Sequence, residues 1–254
     1  MAIITGSGRG LGRAAAIAMA RQGAAVVVLS RTPAEIEEVA GTIVSSGGRA
    51  VFVEADVSKP GDVKRAVERA ASDFGGLDIL MNNAGIVGPF KPLHEVDGAE
   101  WNEVMGINLG GAHLFSRAAV PLMTRRGAGK IINVTSGLGS MVYPGFGAYS
   151  VSKAGLIHMT KIMASELSAL NIQVNGLDPG VMDTRMQEDI RGLGPEVLGR
   201  RVYEDFRGLK DDGLLAPPEE AGSLAVFLAS GESDGLTGED GTGEFYERLG
   251  YRPS

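Results

Sequence analysis

The chain has 254 residues, no cysteine and a formal net charge of −7. That composition excludes disulfides, thiolate catalysis and thiolate metal sites, and it carries no basic footprint for nucleic acid. Hydrophobic content of 44% with 22% charged residues fits one α/β domain spanning 1–254, large enough to bury a substantial core. No apolar run reaches the roughly 18 residues of a membrane span, so no membrane partner is expected. The opening run Met1-Ala2-Ile3-Ile4-Thr5-Gly6 goes straight into a glycine motif. No signal peptide is therefore expected before the fold, and a cytoplasmic location follows.

Short β-branched runs alternate with longer amphipathic ones. After a first strand and a glycine turn, residues 13–22 are Ala-rich and predict a helix. Residues 25–29 read Ala-Val-Val-Val-Leu, a brief apolar run that suits a strand buried on both faces. Pro33 opens a helix over 33–45 and Pro60 one over 60–74, each at a first-turn position that proline tolerates. Strands are predicted over 50–53, 78–81, 130–134 and 172–175. Helices are predicted over 99–126, 148–170 and 218–229. Strand–helix alternation of this kind predicts a doubly wound parallel sheet with helices on both faces. The irregular stretch 181–217 emerges after a strand end, where a long insertion reads as a substrate-binding loop or lid.

Two features carry chemistry. The first is Thr5-Gly6-Ser7-Gly8-Arg9-Gly10-Leu11-Gly12, between the first strand and the first helix. Glycines there let the backbone approach a pyrophosphate, and the helix N-terminus offers free N–H groups and a positive dipole end. The second is Tyr149-Ser150-Val151-Ser152-Lys153. On a helix, i and i+4 side chains are neighbours. An ammonium beside a phenol favours the phenolate and is expected to lower its pKa toward the working range, as a general acid/base requires.

The spacing from Thr5 to Gly12 resembles the short-chain dehydrogenase/reductase family. Further motifs follow in the family's order: Asp56-Val57, Asn82-Asn83-Ala84-Gly85, Asn108, Ser136 with twelve residues before Tyr149, Lys153, and Pro179-Gly180 with Thr184. The resemblance covers about residues 3–184. It implies a Rossmann-like sheet of strand order 3-2-1-4-5-6 and a nicotinamide dinucleotide cofactor. It implies a catalytic set of Asn108, Ser136, Tyr149 and Lys153. Tyr149 would exchange the proton, Lys153 would tune it and bind the nicotinamide ribose, and Ser136 would hold the substrate oxygen. Asn108 would hold a water that relays protons to Lys153. Gly6, Ser7, Arg9, Gly10, Leu11 and Gly12 would cradle the pyrophosphate. Asp56 and Val57 would meet adenine, and Asn83, Ala84 and Gly85 would line the adenosine side. Pro179, Gly180, Val181 and Thr184 would hold the nicotinamide.

The second strand ends Leu29-Ser30-Arg31-Thr32. An acidic residue expected there for a ribose 2′-hydroxyl is missing. Arg31 stands in its place, with hydroxyls at Ser30 and Thr32 and a second guanidinium at Arg9. Guanidinium matches phosphate in bidentate geometry, and a carboxylate would repel it. This resembles the NADP-preferring branch, so NADP(H) is the expected cofactor. Use of NAD(H) by an alcohol or sugar dehydrogenase is the alternative, and a non-catalytic nucleotide sensor is a third reading. The intact Asn108-Ser136-Tyr149-Lys153 set argues against the sensor.

Leu138, Met141, Val142, Tyr143 and Phe146 lie between Ser136 and Tyr149. With Val87 and Met186 they are expected to wall a pocket for a carbonyl or secondary alcohol. His94, His113 and His158 show no ligand spacing, so no metal is expected. After Leu236-Thr237-Gly238 the tail is polar and departs from the family's last strand. The seventh strand and a tetramer are therefore left open, with a dimer through the long helices expected. Asp178, before Pro179, is a further departure near the reacting end.

Overall fold

The computed structural model describes residues 1–253. It begins with β1 (Ala2–Thr5), α1 (Gly10–Arg21), β2 (Ala25–Ser30), α2 (Pro33–Ser45), β3 (Arg49–Glu54), α3 (Pro60–Phe74) and β4 (Ile79–Asn82). Next come α4 (Gly98–Met105), α5 (Gly111–Arg126), β5 (Gly129–Val134), α6 (Gly147–Leu167) and β6 (Ile172–Leu177). The segment 181–217 folds into α7 (Arg185–Gly192), α8 (Pro195–Leu198) and α9 (Arg200–Asp211). The chain closes with α10 (Pro218–Ala229), β7 (Asp240–Gly241) and α11 (Gly243–Glu247). No helix among the described residues is long and apolar enough to cross a membrane.

The seven strands form one parallel sheet in the order β3-β2-β1-β4-β5-β6-β7, a Rossmann-like α/β fold. Alternation along the central strands divides the core. Ile4, Val28 and Met81 face the side packed by α1, α2 and α10. Ile3, Val27, Leu29 and Leu80 face the side packed by α3 and α5, with Phe115 among them. Such strands, buried on both faces, are why the sequence shows unbroken Val/Ile runs rather than alternation.

One departure from the sequence reading, and one point that the reading left open, bear on the site. First, the helix expected over 99–126 is two helices joined by a π-helical segment at Gly106–Gly110. The wider turn holds Asn108, buried at the inner face, and π segments of this kind often re-aim a functional side chain. Propensity patterns do not register one extra residue per turn, so the sequence reads as continuous helix.

Second, a seventh strand exists. Asp240 pairs with Gly176 and Gly241 with Leu177. It is two residues long, polar and at the sheet edge, so no apolar run announces it. Aromatics from the tail supply the missing apolar cover. Tyr246 is fully buried and donates its hydroxyl to the Gly176 carbonyl at 2.6 Å. Phe227 packs against both Tyr246 and Tyr251, and the Tyr251 hydroxyl meets Ser223 Oγ at 2.6 Å.

Candidate active site

A cleft of about 460 Å³ runs along the carboxyl ends of the strands, where open α/β sheets bind ligands. At one end lies the glycine turn. Gly6 and Gly10 have φ of 63° and 54°, conformations that favour glycine. Gly12 serves close packing instead: a Cβ there would stand 2.4 Å from the Gly6 carbonyl and 2.6 Å from Asn83 Nδ2. Arg9 occupies the N-cap of α1 without a side-chain capping bond, which leaves first-turn N–H groups toward the cleft. Gly6, Arg9, Gly10 and Leu11 line that cleft. This cradle fits a dinucleotide pyrophosphate.

Ser7 does not face the cleft. It is buried, donating to the Ile4 carbonyl at 2.9 Å and accepting from the Leu29 N–H at 2.8 Å. The hydroxyl ties the turn to β2, which corrects its expected cofactor contact. Asn83 is likewise structural at its amide: Nδ2 donates to the carbonyls of Thr5 (2.8 Å) and Gly6 (3.0 Å). Asn83, Ala84 and Gly85 still line the cleft.

Asp56 and Val57 line the cleft together with Ser30, Arg31 and Thr32. Burial pushes the Asp56 carboxyl up. Hydrogen bonds from Ser58 and the nearby charges of Lys59 and Arg31 outweigh it and hold the group below the usual range. An ionised Asp56 is an acceptor, as an amino group requires.

At the other end Tyr149 and Lys153 both line the cleft from α6. The Lys153 ammonium lies 5.7 Å from the centre of the Tyr149 ring and donates to the Val134 carbonyl at 2.6 Å. It is 4% exposed, and burial brings its pKa down to about 8, with the Asp178 carboxylate resisting. Burial pushes the Tyr149 phenol up to about 12; the Ser136 hydroxyl pulls it down and Asp178 adds to the rise. The expected depression of Tyr149 is therefore reversed in the free protein. Desolvation dominates, and Lys153, with its ammonium held by the Val134 carbonyl, is not among the groups that lower the phenol.

Ser136 follows β5 and caps the short turn Gly137–Gly139, accepting from the Leu138 N–H at 3.3 Å. The Asn108 side chain accepts from Ile86 N (2.8 Å) and donates to the Ile86 carbonyl and to Ser152 Oγ (2.9 Å each). Both amide hydrogens are thus used, and one Oδ1 lone pair is left toward Gly85, beside Lys153.

Pro179, Met182 and Thr184 line the cleft after β6. Gly180 donates its N–H to Asp178 Oδ1 at 3.0 Å, and Val181 is exposed; neither borders the cleft.

The expected substrate wall divides. Val87 and Met186 border the cleft. Met141 and Val142 are exposed, Val142 at 95%, because their turn faces solvent. Leu138, Tyr143 and Phe146 join an aromatic cluster with Phe90 and Phe206. Phe206, from α9, stacks on Phe146 at 5.6 Å, and Phe90 meets Phe146 edge-on at 5.2 Å. The segment 181–217 is thereby docked onto the loop between Ser136 and Tyr149. Its base is pinned by Asp183 N to the Ala216 carbonyl (2.9 Å) and by a Lys210–Asp183 ion pair (2.7 Å). Sequence reasoning missed Phe90, Phe206 and Glu35. Nothing local marks the two phenylalanines.

The cleft brings the glycine cradle and the Tyr149–Lys153 pair together, with Ser136 hydrogen-bonded to the Tyr149 hydroxyl behind its lining. The model for short chain dehydrogenase matches residues 1–192. The chain belongs to the short-chain dehydrogenase family. It is 36% identical over 242 residues to cis-4-hydroxycyclohexanecarboxylate dehydrogenase of Sinomonas cyclohexanicum, covering 94% of this chain and 92% of that one. A short-chain type dehydrogenase/reductase from Mycobacterium marinum superposes with a TM-score of 0.85 at 31% identity, over 95% of this chain and 92% of its own. A protein from Beutenbergia cavernae, described provisionally as an NAD(P) dependent gluconate 5-dehydrogenase, gives a TM-score of 0.84 at 32% identity. The match covers 95% and 93% of the two chains, and that structure holds NADP at low occupancy.

Proposed function

We propose that the protein transfers a hydride between NADP(H) and a carbonyl or secondary alcohol, with Tyr149 as general acid/base. The observation that carries this reading is one cleft holding the Tyr149–Lys153 pair at one end and Arg9 and Arg31 at the other. When bound, the nicotinamide supplies or accepts the hydride.

The residues of the chain do the rest. A phenol held near 12 is fully protonated at neutral pH, which suits donation to a carbonyl oxygen as negative charge develops on it. Ser136 orients that oxygen by hydrogen bonding. Lys153, with a pKa of about 8, is mostly charged at neutral pH and steadies the phenolate left behind. Asn108 holds, by its remaining Oδ1 lone pair, a water that relays protons to Lys153. Arg9 and Arg31 bind the 2′-phosphate. The segment 181–217 acts as the substrate lid, through the face of α7 that carries Met186 and Ile190. Val87, Met186 and Ile190 on the cleft favour an apolar or mixed substrate. Self-association through the long helices belongs to the same reading: Leu109, Met159 and Ile162 line an open groove between the π segment and α6.

The test follows NADPH and NADH consumption over a carbonyl panel, with Tyr149→Phe alongside. The phenol's removal should lower kcat by about 10²–10⁴-fold while NADPH still binds. Undiminished turnover in Tyr149→Phe would remove the tyrosine from the mechanism.

A further inference from the structure

The carboxylate missing from the end of β2 is supplied by the next helix. Thr32-Pro33-Ala34-Glu35 has the Thr-x-x-Glu form of a capping box, in which the glutamate reaches back to the N-cap N–H. The same signature at Asp97–Glu100 closes in full, with both reciprocal bonds present. At α2 it does not close. Thr32 makes no side-chain capping bond, and its N–H donates to Ser30 Oγ at 3.1 Å.

Released from that duty, Glu35 turns to the cleft. Its Oε1 is 3.8 Å from Arg9 Nη1. Its Oε2 is 2.7 Å from where a Cβ on residue 8 would stand, so Gly8 makes the room for it. Glu35 lines the cleft beside Ser30, Arg31 and Thr32. The earlier expectation that no carboxylate stands at this mouth fails in space, although it holds along the strand.

We propose that Glu35 sets the choice between the two nicotinamide dinucleotides. Paired with Arg9, it competes with a ribose 2′-phosphate for the guanidinium and repels the phosphate directly. Toward an unphosphorylated ribose it offers an acceptor for the 2′-hydroxyl. It thus restrains the NADP(H) preference that Arg9 and Arg31 create and admits NAD(H). This inference rests on the reading that the cleft takes a nicotinamide dinucleotide with its adenosine ribose at this mouth.

The test is fluorescence titration of the wild type, Glu35→Gln and Glu35→Asp with NADPH and with NADH. Glu35→Gln should tighten NADPH about tenfold and weaken NADH severalfold. Glu35→Asp keeps the charge but withdraws it from Arg9, so its Kd ratio should fall between the other two. An unchanged ratio in Glu35→Gln overturns the inference, even where the wild type favours NADPH. A ratio that moves in a wild type favouring NADH overturns the NADP(H) reading and leaves the role of Glu35 standing. Failure of the wild type to bind either nucleotide overturns both.

Discussion

Lys153→Met separates what the lysine does for chemistry from what it costs the fold. The ammonium is buried, and its pKa falls from 10.5 to about 8, which amounts to about 3 kcal/mol at ~1.4 kcal/mol per tenfold change in ionisation. The sign is fixed by linkage. Above pH 10.5 both folded and unfolded lysine are neutral, and there is no penalty. As pH falls toward 8, the unfolded chain binds the proton first, so the folded state loses stability. Between about pH 7.5 and about pH 10 the wild type should therefore gain about 2 kcal/mol relative to Lys153→Met. In a chain of this size that is a relative rise in Tm of about 4–8 °C. Thermal unfolding of both proteins over that range reads the difference directly, because titrations common to both cancel. The variant also orphans the Val134 carbonyl, which costs about 1–3 kcal/mol, but that loss does not depend on pH. Parallel Tm–pH curves for the two proteins would refute the buried, depressed lysine.

Two further outcomes follow. Tyr246→Phe removes the hydroxyl that donates to the Gly176 carbonyl at 2.6 Å inside the core. It should destabilise the protein by about 1–3 kcal/mol, seen as a lower denaturation midpoint; an unchanged midpoint would mean the tail does not secure β7. Arg31→Asp places a carboxylate where the phosphate is assigned. It should cut kcat/KM for NADPH by at least about tenfold and spare NADH; equal loss with both cofactors would remove Arg31 from phosphate binding.

Most of the fold was legible because the central strands are short apolar runs and several helices start with a recognisable signal. Pro33 and Pro60 open α2 and α3 as read, and the Val-rich run became β2, buried along nearly its whole length. Tyr149 and Lys153 were legible for a related reason: their spacing on one helix fixes their proximity. The rest depends on which of two partners wins. Ser7 has the composition of a phosphate-binding turn, yet the Leu29 backbone takes its hydroxyl. Glu35 belongs by sequence to a capping box, yet Ser30 satisfies the N–H it would have met. The first outcome depends on a partner 22 positions away; the second is a contest between near neighbours that the capping-box pattern does not rank.

The tail shows how such a contest reaches the chemistry. Its polar sequence left the seventh strand open. In place, it sets Asp240 beside β5 and β6, where Asp240 Oδ1 accepts from Thr135 Oγ1 at 2.7 Å, one residue before Ser136. Burial chiefly, and then the charge of Asp240, push the Asp178 carboxyl upward. Asp178 is in turn the carboxylate that resists the fall of Lys153 and adds to the rise of Tyr149. Any change that makes Asp178 more readily neutral weakens the support for a charged Lys153. It also relieves Tyr149, so the two pKa values fall together. The edge strand thus bears on Tyr149 and Lys153 through two carboxylates, without touching either residue.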